Sequence, residues 1–191
     1  MEQDIIDELQ EEIEPQEIVY ATFWTRVKAS FLDTIILAPV TYGLSYYILV
    51  YVKSFFLSVC IALALPVYKC FMEKQYGATL GKKIMNINVV SADLQRLTYK
   101  DVFSRNYYYS LSLIMSLLAY YFLYTMPEFQ AAKTLSEVWA LRSETPTLEK
   151  TVKYTFVGFF YIDNLLMLKS SRNQTLHDRL GNTVVLQMNK I

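Results

Sequence analysis

The sequence predicts an all-α membrane protein with four transmembrane helices, short interfacial helices and a small cytoplasmic two-stranded β ribbon. Three observations point there. Of the 191 residues 53% are hydrophobic, and they gather in long runs. Lys and Arg fall mostly on one side of those runs. A late stretch, "TLHDRLGNTVV" at 175–185, nearly repeats an earlier one, "TLGKKIMNINVV" at 79–90.

The chain divides into an acidic amphipathic segment, 1–18, and a membrane domain, 19–191. Residues 1–17 carry eight acids and no base. Ile5, Ile6, Leu9 and Ile13 form one stripe of a helix that stops near Pro15. It reads as a solvated helix or as one that docks on a basic cytoplasmic surface. A signal peptide is not expected, because its first region would be basic and its apolar residues continuous.

A bilayer core needs ~20 mainly apolar residues per helix. The run from Ala29 to Met72 is long enough for two, about 29–50 and 54–72, turning near Val52-Lys53-Ser54. The third span is about 106–126 and the fourth about 152–168. Four spans put both termini and the 73–106 loop on one side. That side collects thirteen Lys and Arg, the other only five: Lys53, Lys133, Arg142, Lys150 and Lys153. The positive-inside rule makes the richer side cytoplasmic. Tyr46, Tyr47, Tyr51, Tyr120, Tyr121, Tyr124 and Tyr154 cluster at the opposite ends, as interfacial aromatics do. A soluble all-α core is the alternative, but four such runs need more burial than this chain supplies. Beyond the third span, Ala131, Ala132, Leu135, Val138 and Trp139 follow helical spacing, with Glu128, Lys133 and Glu137 opposite. This predicts a helix on the outer membrane surface. Cys60 and Cys70 lie ~15 Å apart along one helix, too far for a mutual disulfide, and read as small buried hydrophobes.

In the repeat, Thr79-Leu80 matches Thr175-Leu176, Lys83-Ile84 matches Arg179-Leu180, and Val89-Val90 matches Val184-Val185. Each copy starts at a Thr able to cap a short helix, turns at Gly or Asn, then runs into β-branched residues. Each therefore predicts a short interfacial helix and a strand. The two strands, "INVV" and "TVVLQM", are expected to pair and clamp the loop to the tail.

These motifs carry a resemblance. The chain is similar to the RDD family of small polytopic membrane proteins, named for one Arg and two Asp. The Arg and first Asp match Arg26 and Asp33 in "WTRVKASFLDTIIL". The middle motif matches "GATLGKKIMNINVV", with Thr79, Gly81, Lys82 and Lys83. The second Asp matches Asp178 in "QTLHDRLGNTVV". Two departures stand out: Leu94-Gln95 follows Asp93 where the family commonly has a nearby Gly, and Gly181-Asn182-Thr183 replaces small-Gly-Thr. The resemblance implies a helical membrane domain. Small-cation/proton exchange has been proposed for some members, and others look like accessory parts of larger complexes.

Asp33 and Asp163 are intramembrane acids, functional candidates by default because each costs ~2.5–3.5 kcal/mol to insert. Both lie at a similar depth from the cytoplasmic edge. With Asn164 and Arg105 they form the expected ion or proton site; a buried network that only holds the helices together is the alternative. Arg26, at the edge, reads equally as a phosphate or snorkelling contact. Asp178 fits a capping box with Thr175, or else a salt bridge to Arg26 or Lys82. His177 is expected to be an exposed helix-start residue, with a pH switch as the alternative.

No cofactor or metal site is expected: no Cys/His cluster, phosphate loop or nucleophile elbow is present. Zero net charge gives no sign of nucleic-acid binding. The expected partners are the lipid bilayer and either a second copy of the chain or a membrane complex. The expected location is the bacterial cytoplasmic membrane. The functional alternatives are a proton- or cation-coupled carrier using intramembrane carboxylates and a non-transporting assembly or scaffold subunit. An enzyme is not expected.

Overall fold

A computed structural model describes residues 18–143, 154, 158–159 and 162–188. The acidic segment 1–17, the outer residues Lys150 and Lys153 and much of the fourth span lie outside the described residues. What is described is mainly helical, with one two-stranded antiparallel sheet.

Helix α1, Phe23–Tyr47, begins where the Thr22 side chain accepts from Thr25 N–H at 3.3 Å. It runs on into a π-helical turn, Ile48–Val52. The predicted hairpin lies where expected. Lys53 takes a left-handed backbone (φ 49°) and Ser54 caps α2, Phe55–Tyr76. Lys53 Nζ also donates to the carbonyls of Gln130 and Ala132 at 2.5 and 2.7 Å. That pins the hairpin onto the short helices α6, Pro127–Ala131, and α7, Leu135–Ser143.

Between the hairpin and those helices run four more elements. The strand β1, Ile87–Ser91, follows a short helix α3, Leu80–Ile84. Helix α4, Tyr99–Arg105, leads through Asn106 into α5, Tyr107–Thr125. Late in the chain come a helical segment, 162–166, a 3-10 turn, Met167–Lys169, the helix α8, Leu176–Leu180, and the strand β2, Thr183–Gln187.

Two helical stretches, Phe23–Val52 and Phe55–Tyr76, are long and apolar enough to cross a membrane. Only 17% and 6% of their most apolar windows are buried, which is not how the core helix of a soluble protein packs. Phe31, Val40, Phe56, Val67 and Phe71 are exposed along them. Cys60, expected to be buried, is exposed on α2, a helix of which little of the apolar stretch is covered. Both cysteines are free. The third expected span corresponds to α5, whose six tyrosines lower its hydropathy, so four spans are not established. Ser58 Oγ and the Tyr124 hydroxyl meet at 2.8 Å where α2 packs on α5.

The ribbon forms as the repeat predicts, with Val89 opposite Val185 and Val90 opposite Val184. Ala92 N–H donates to Asn182 C=O (2.9 Å) and Met188 N–H to Asn86 C=O (2.7 Å). That alternation makes Val90–Val184 a hydrogen-bonded pair. The arm before α1 covers the other edge of β2: Ala21 N–H donates to Val185 C=O and Gln187 N–H to Val19 C=O. This covering of an otherwise open edge was not legible in the sequence. One apolar cluster, with Ala21, Ala29, Ile87, Val89, Val102 and Val185, fills the ribbon end. A second, with Leu49, Tyr120, Leu123, Phe129 and Val138, fills the hairpin end.

Candidate functional site

The ribbon end gathers most of the buried charge. Each copy of the repeat offers the first N–H groups of a short helix, which need acceptors. In both copies an acid from another helical segment supplies them. Asp33 Oδ1 accepts from Gly81 N–H at 2.7 Å, and its Oδ2 accepts from Thr79 Oγ1 at 2.5 Å. Asp163 Oδ1 accepts from Leu176 N–H at 2.6 Å and His177 N–H at 3.2 Å, and its Oδ2 meets His177 Nδ1. Gly81 and His177 occupy the same place in the two copies. Thr79 makes no side-chain cap of its own helix, unlike the sequence expectation; its hydroxyl goes to Asp33 instead. His177 is not an exposed helix-start residue either, because Asp163 draws its ring inward.

Close approach makes the first clasp possible. A Cβ at Gly81 would run into the Ala29 carbonyl and Asp33 of α1. At Gly181 it would meet Arg105 Cβ at 2.7 Å. Both glycines are therefore required by space, where α3 meets α1 and where the turn after α8 meets α4.

The third position of each short helix carries opposite charge, Lys82 in one and Asp178 in the other. Asp178 is fully buried. It completes a capping box with Thr175 and also accepts from Arg26 Nη1 at 2.5 Å and from Arg105 Nη1. The two sequence alternatives for Asp178, cap and ion pair, are thus both realised, with Arg26 and not Lys82 as the pair. Arg26 Nη2 also donates to Asn173 C=O at 2.6 Å, a protein role beside which a lipid contact is unnecessary. Arg105 Nη1 reaches Thr183 Oγ1 at 2.8 Å, which ties the network to β2.

Lys82 pairs with Glu73, a buried acid near the end of α2. Glu73 Oε2 also accepts from Asn106 Nδ2 at 3.0 Å and lies 3.4 Å from Arg105 Nε. Arg105 therefore joins Glu73 to Asp178. Asp33, Asp163 and Arg105, expected to share one site, have separate partners: the two acids are spent on different short helices and Arg105 on Glu73 and Asp178. Similar depth along helices does not make two side chains meet; the direction each faces decides that. Glu73 and Lys69 were missed, although their i, i+4 spacing at the end of an apolar run was a readable signal.

Outside the membrane-long helices, three groups of this network depart from their ordinary values. Burial pushes the Lys82 ammonium down to about 8 in spite of Glu73, with Arg105 and Lys69 adding like-charge repulsion. Burial opposes the charge on Arg105, but Asp178 and Glu73 outweigh it and its pKa rises. Burial alone would raise the Asp178 carboxyl; Arg105 and Arg26 hold it well below the usual carboxylate range.

A cavity of ≈ 80 Å³ opens among these groups, with Arg26, Lys69, Glu73, Lys82, Arg105 and His177 on its wall. Asn164, expected at the site, also lines it. Lys83 lies outside it, exposed, with its ammonium 3.8 Å from the Tyr76 ring centre. Among the described residues no group of three or more His, Cys, Asp or Glu is placed to hold a metal ion.

The model of the RDD family matches residues 20–182. No curated protein and no solved structure matches the chain.

Proposed function

The chain belongs to the RDD family, and on that premise we propose that it is a proton-coupled carrier of the bacterial cytoplasmic membrane, with both termini cytoplasmic. The observation that carries this reading is the chamber itself. Ionisable groups with shifted pKa values gathered around open space, at the cytoplasmic end of a membrane bundle, are a functional candidate. Lys82 and Glu73 are the proton-handling pair, since burial brings the Lys82 ammonium close to the cytoplasmic pH range. Asp33 and Asp163 then act as positioning residues: their lone pairs hold α3 and α8 against the chamber. The small single-protomer bundle favours a second copy of the chain or a partner in completing the path.

The second reading, a non-transporting assembly subunit, draws support from the same two acids, because each is already satisfied by backbone N–H groups. Reconstitution separates the two. Purified protein in liposomes, loaded with a pH-sensitive dye and given outward or inward salt gradients, should change luminal pH faster than protein-free vesicles. Absence of any protein-dependent change, across cation and anion gradients alike, would leave the assembly reading in place.

A further inference from the structure

We infer that the chamber at the ribbon end binds a small phosphate-type oxyanion. Four cationic side chains, Arg26, Lys69, Lys82 and Arg105, line it, and Glu73 is the one carboxylate on its wall among the described residues. The neighbouring acids face elsewhere. Asp33 and Asp163 hold backbone N–H groups of α3 and α8, and Asp178 bridges Arg26 and Arg105 without lining the cavity.

Donors outnumber acceptors there. The Arg26 Nε–H is buried without a hydrogen-bond partner. The Lys69 ammonium meets the Tyr109 hydroxyl and lies 4.3 Å from the Tyr109 ring centre. No carboxylate comes within 4 Å of that ammonium among the described residues. Glu73 and Asp33 act on the Lys69 ammonium only from beyond ion-pair distance, and an entering anion gives it a direct charged partner. An entering cation meets four like charges, three of which already share Glu73 and Asp178, and finds no carboxylate that is not already paired on the wall among the described residues. Guanidinium forks and ammonium groups together suit a phosphate-type oxyanion, the former by bidentate geometry and the latter as point charges. The volume fits a compact ion and not a nucleotide. Such chemistry is offered by free phosphate and by the phosphate of a lipid headgroup.

This names the cargo of the proposed carrier and rests on that reading only for movement across the bilayer. Binding is measured separately. The full-length protein in detergent is titrated calorimetrically with inorganic phosphate, against chloride at matched ionic strength. Saturable binding is expected with phosphate alone, weakened about ten- to hundred-fold in Lys69→Met, the loss of one charge-assisted hydrogen bond. Tyr109→Phe keeps the cation and should bind at least as tightly as the wild type; Lys83→Met, outside the chamber, should bind as the wild type does. Repeating the titration in phospholipid nanodiscs separates the sources: a headgroup occupant competes and lowers the apparent phosphate affinity relative to detergent, whereas a site for free phosphate keeps it. No heat beyond that of chloride in the wild type, or equal affinity in a folded Lys69→Met, overturns the inference. Binding without flux in liposomes removes only the carrier reading, and flux without phosphate binding removes only the oxyanion.

Discussion

Replacing Asp178 by Ala isolates the ionic link between the repeat and the helix bundle. The carboxylate is fully buried and carries the Thr175 capping box, Arg26 Nη1 at 2.5 Å and Arg105 Nη1. Loss of a cap alone costs ~0.5–2 kcal/mol. Removing one member of a buried ion pair costs ~3–5 kcal/mol, because the partner charge is stranded. Here two guanidiniums lose their shared acid, so the larger figure applies, against a total stability of ~5–15 kcal/mol for a typical domain. Equilibrium unfolding in detergent micelles should show a drop of that size in Asp178→Ala. Double-mutant cycles with Arg26→Met and Arg105→Met should each show coupling above ~0.5 kcal/mol. A loss confined to the capping range, with no coupling to either arginine, would refute the reasoning.

Acid should act through the same group. Its folded pKa is depressed, so its contribution is complete above the unfolded value, ~3.9, and is lost as pH falls through the folded value. The stability gap between wild type and Asp178→Ala should therefore hold from neutral pH to about pH 4 and close below it, as followed by unfolding at stepped pH. Gly81→Ala should cost at least ~1–3 kcal/mol, the usual range for overpacking, since the new methyl meets backbone in α1; thermal unfolding measures this. Val184→Pro removes a donor from the Val90–Val184 hydrogen-bonded pair and should open the ribbon, read as faster amide exchange at Val89, Val90 and Val185.

The parts of this molecule that were legible in its sequence are those fixed by local chemistry. The matched Val-Val pairs predicted a ribbon with Val89 and Val90 beside Val184 and Val185, though not its antiparallel register, and Thr-x-x-Asp predicted the cap at Thr175. The same signature at Thr98 and Asp101 announces α4, where the structure has a second capping box, but it went unread. Charge topology is legible as a count, which places Lys69 on the cytoplasmic side but does not show its contact with Tyr109 or the pairing of Glu73 with Lys82. The Asp33–Asp163–Arg105 grouping rests on axial depth, which says nothing about rotation about a helix axis; in the structure the three groups have separate partners. The arm at Val19–Ala21 carries no alternation of its own; it is held by β2, a contact made between residues far apart in sequence.

The proton-handling role of the chamber is tested most directly by removing its central pair while sparing the fold. Glu73→Gln with Lys82→Met deletes both charges together, and replacing a buried pair with uncharged groups of similar volume is often neutral for stability. Luminal pH is followed in liposomes carrying wild type or the double variant, at equal protein content and with unfolding curves matched beforehand. The account predicts gradient-driven proton movement in the wild type and none above protein-free vesicles in the double variant. A folded double variant that moves protons at the wild-type rate would contradict it.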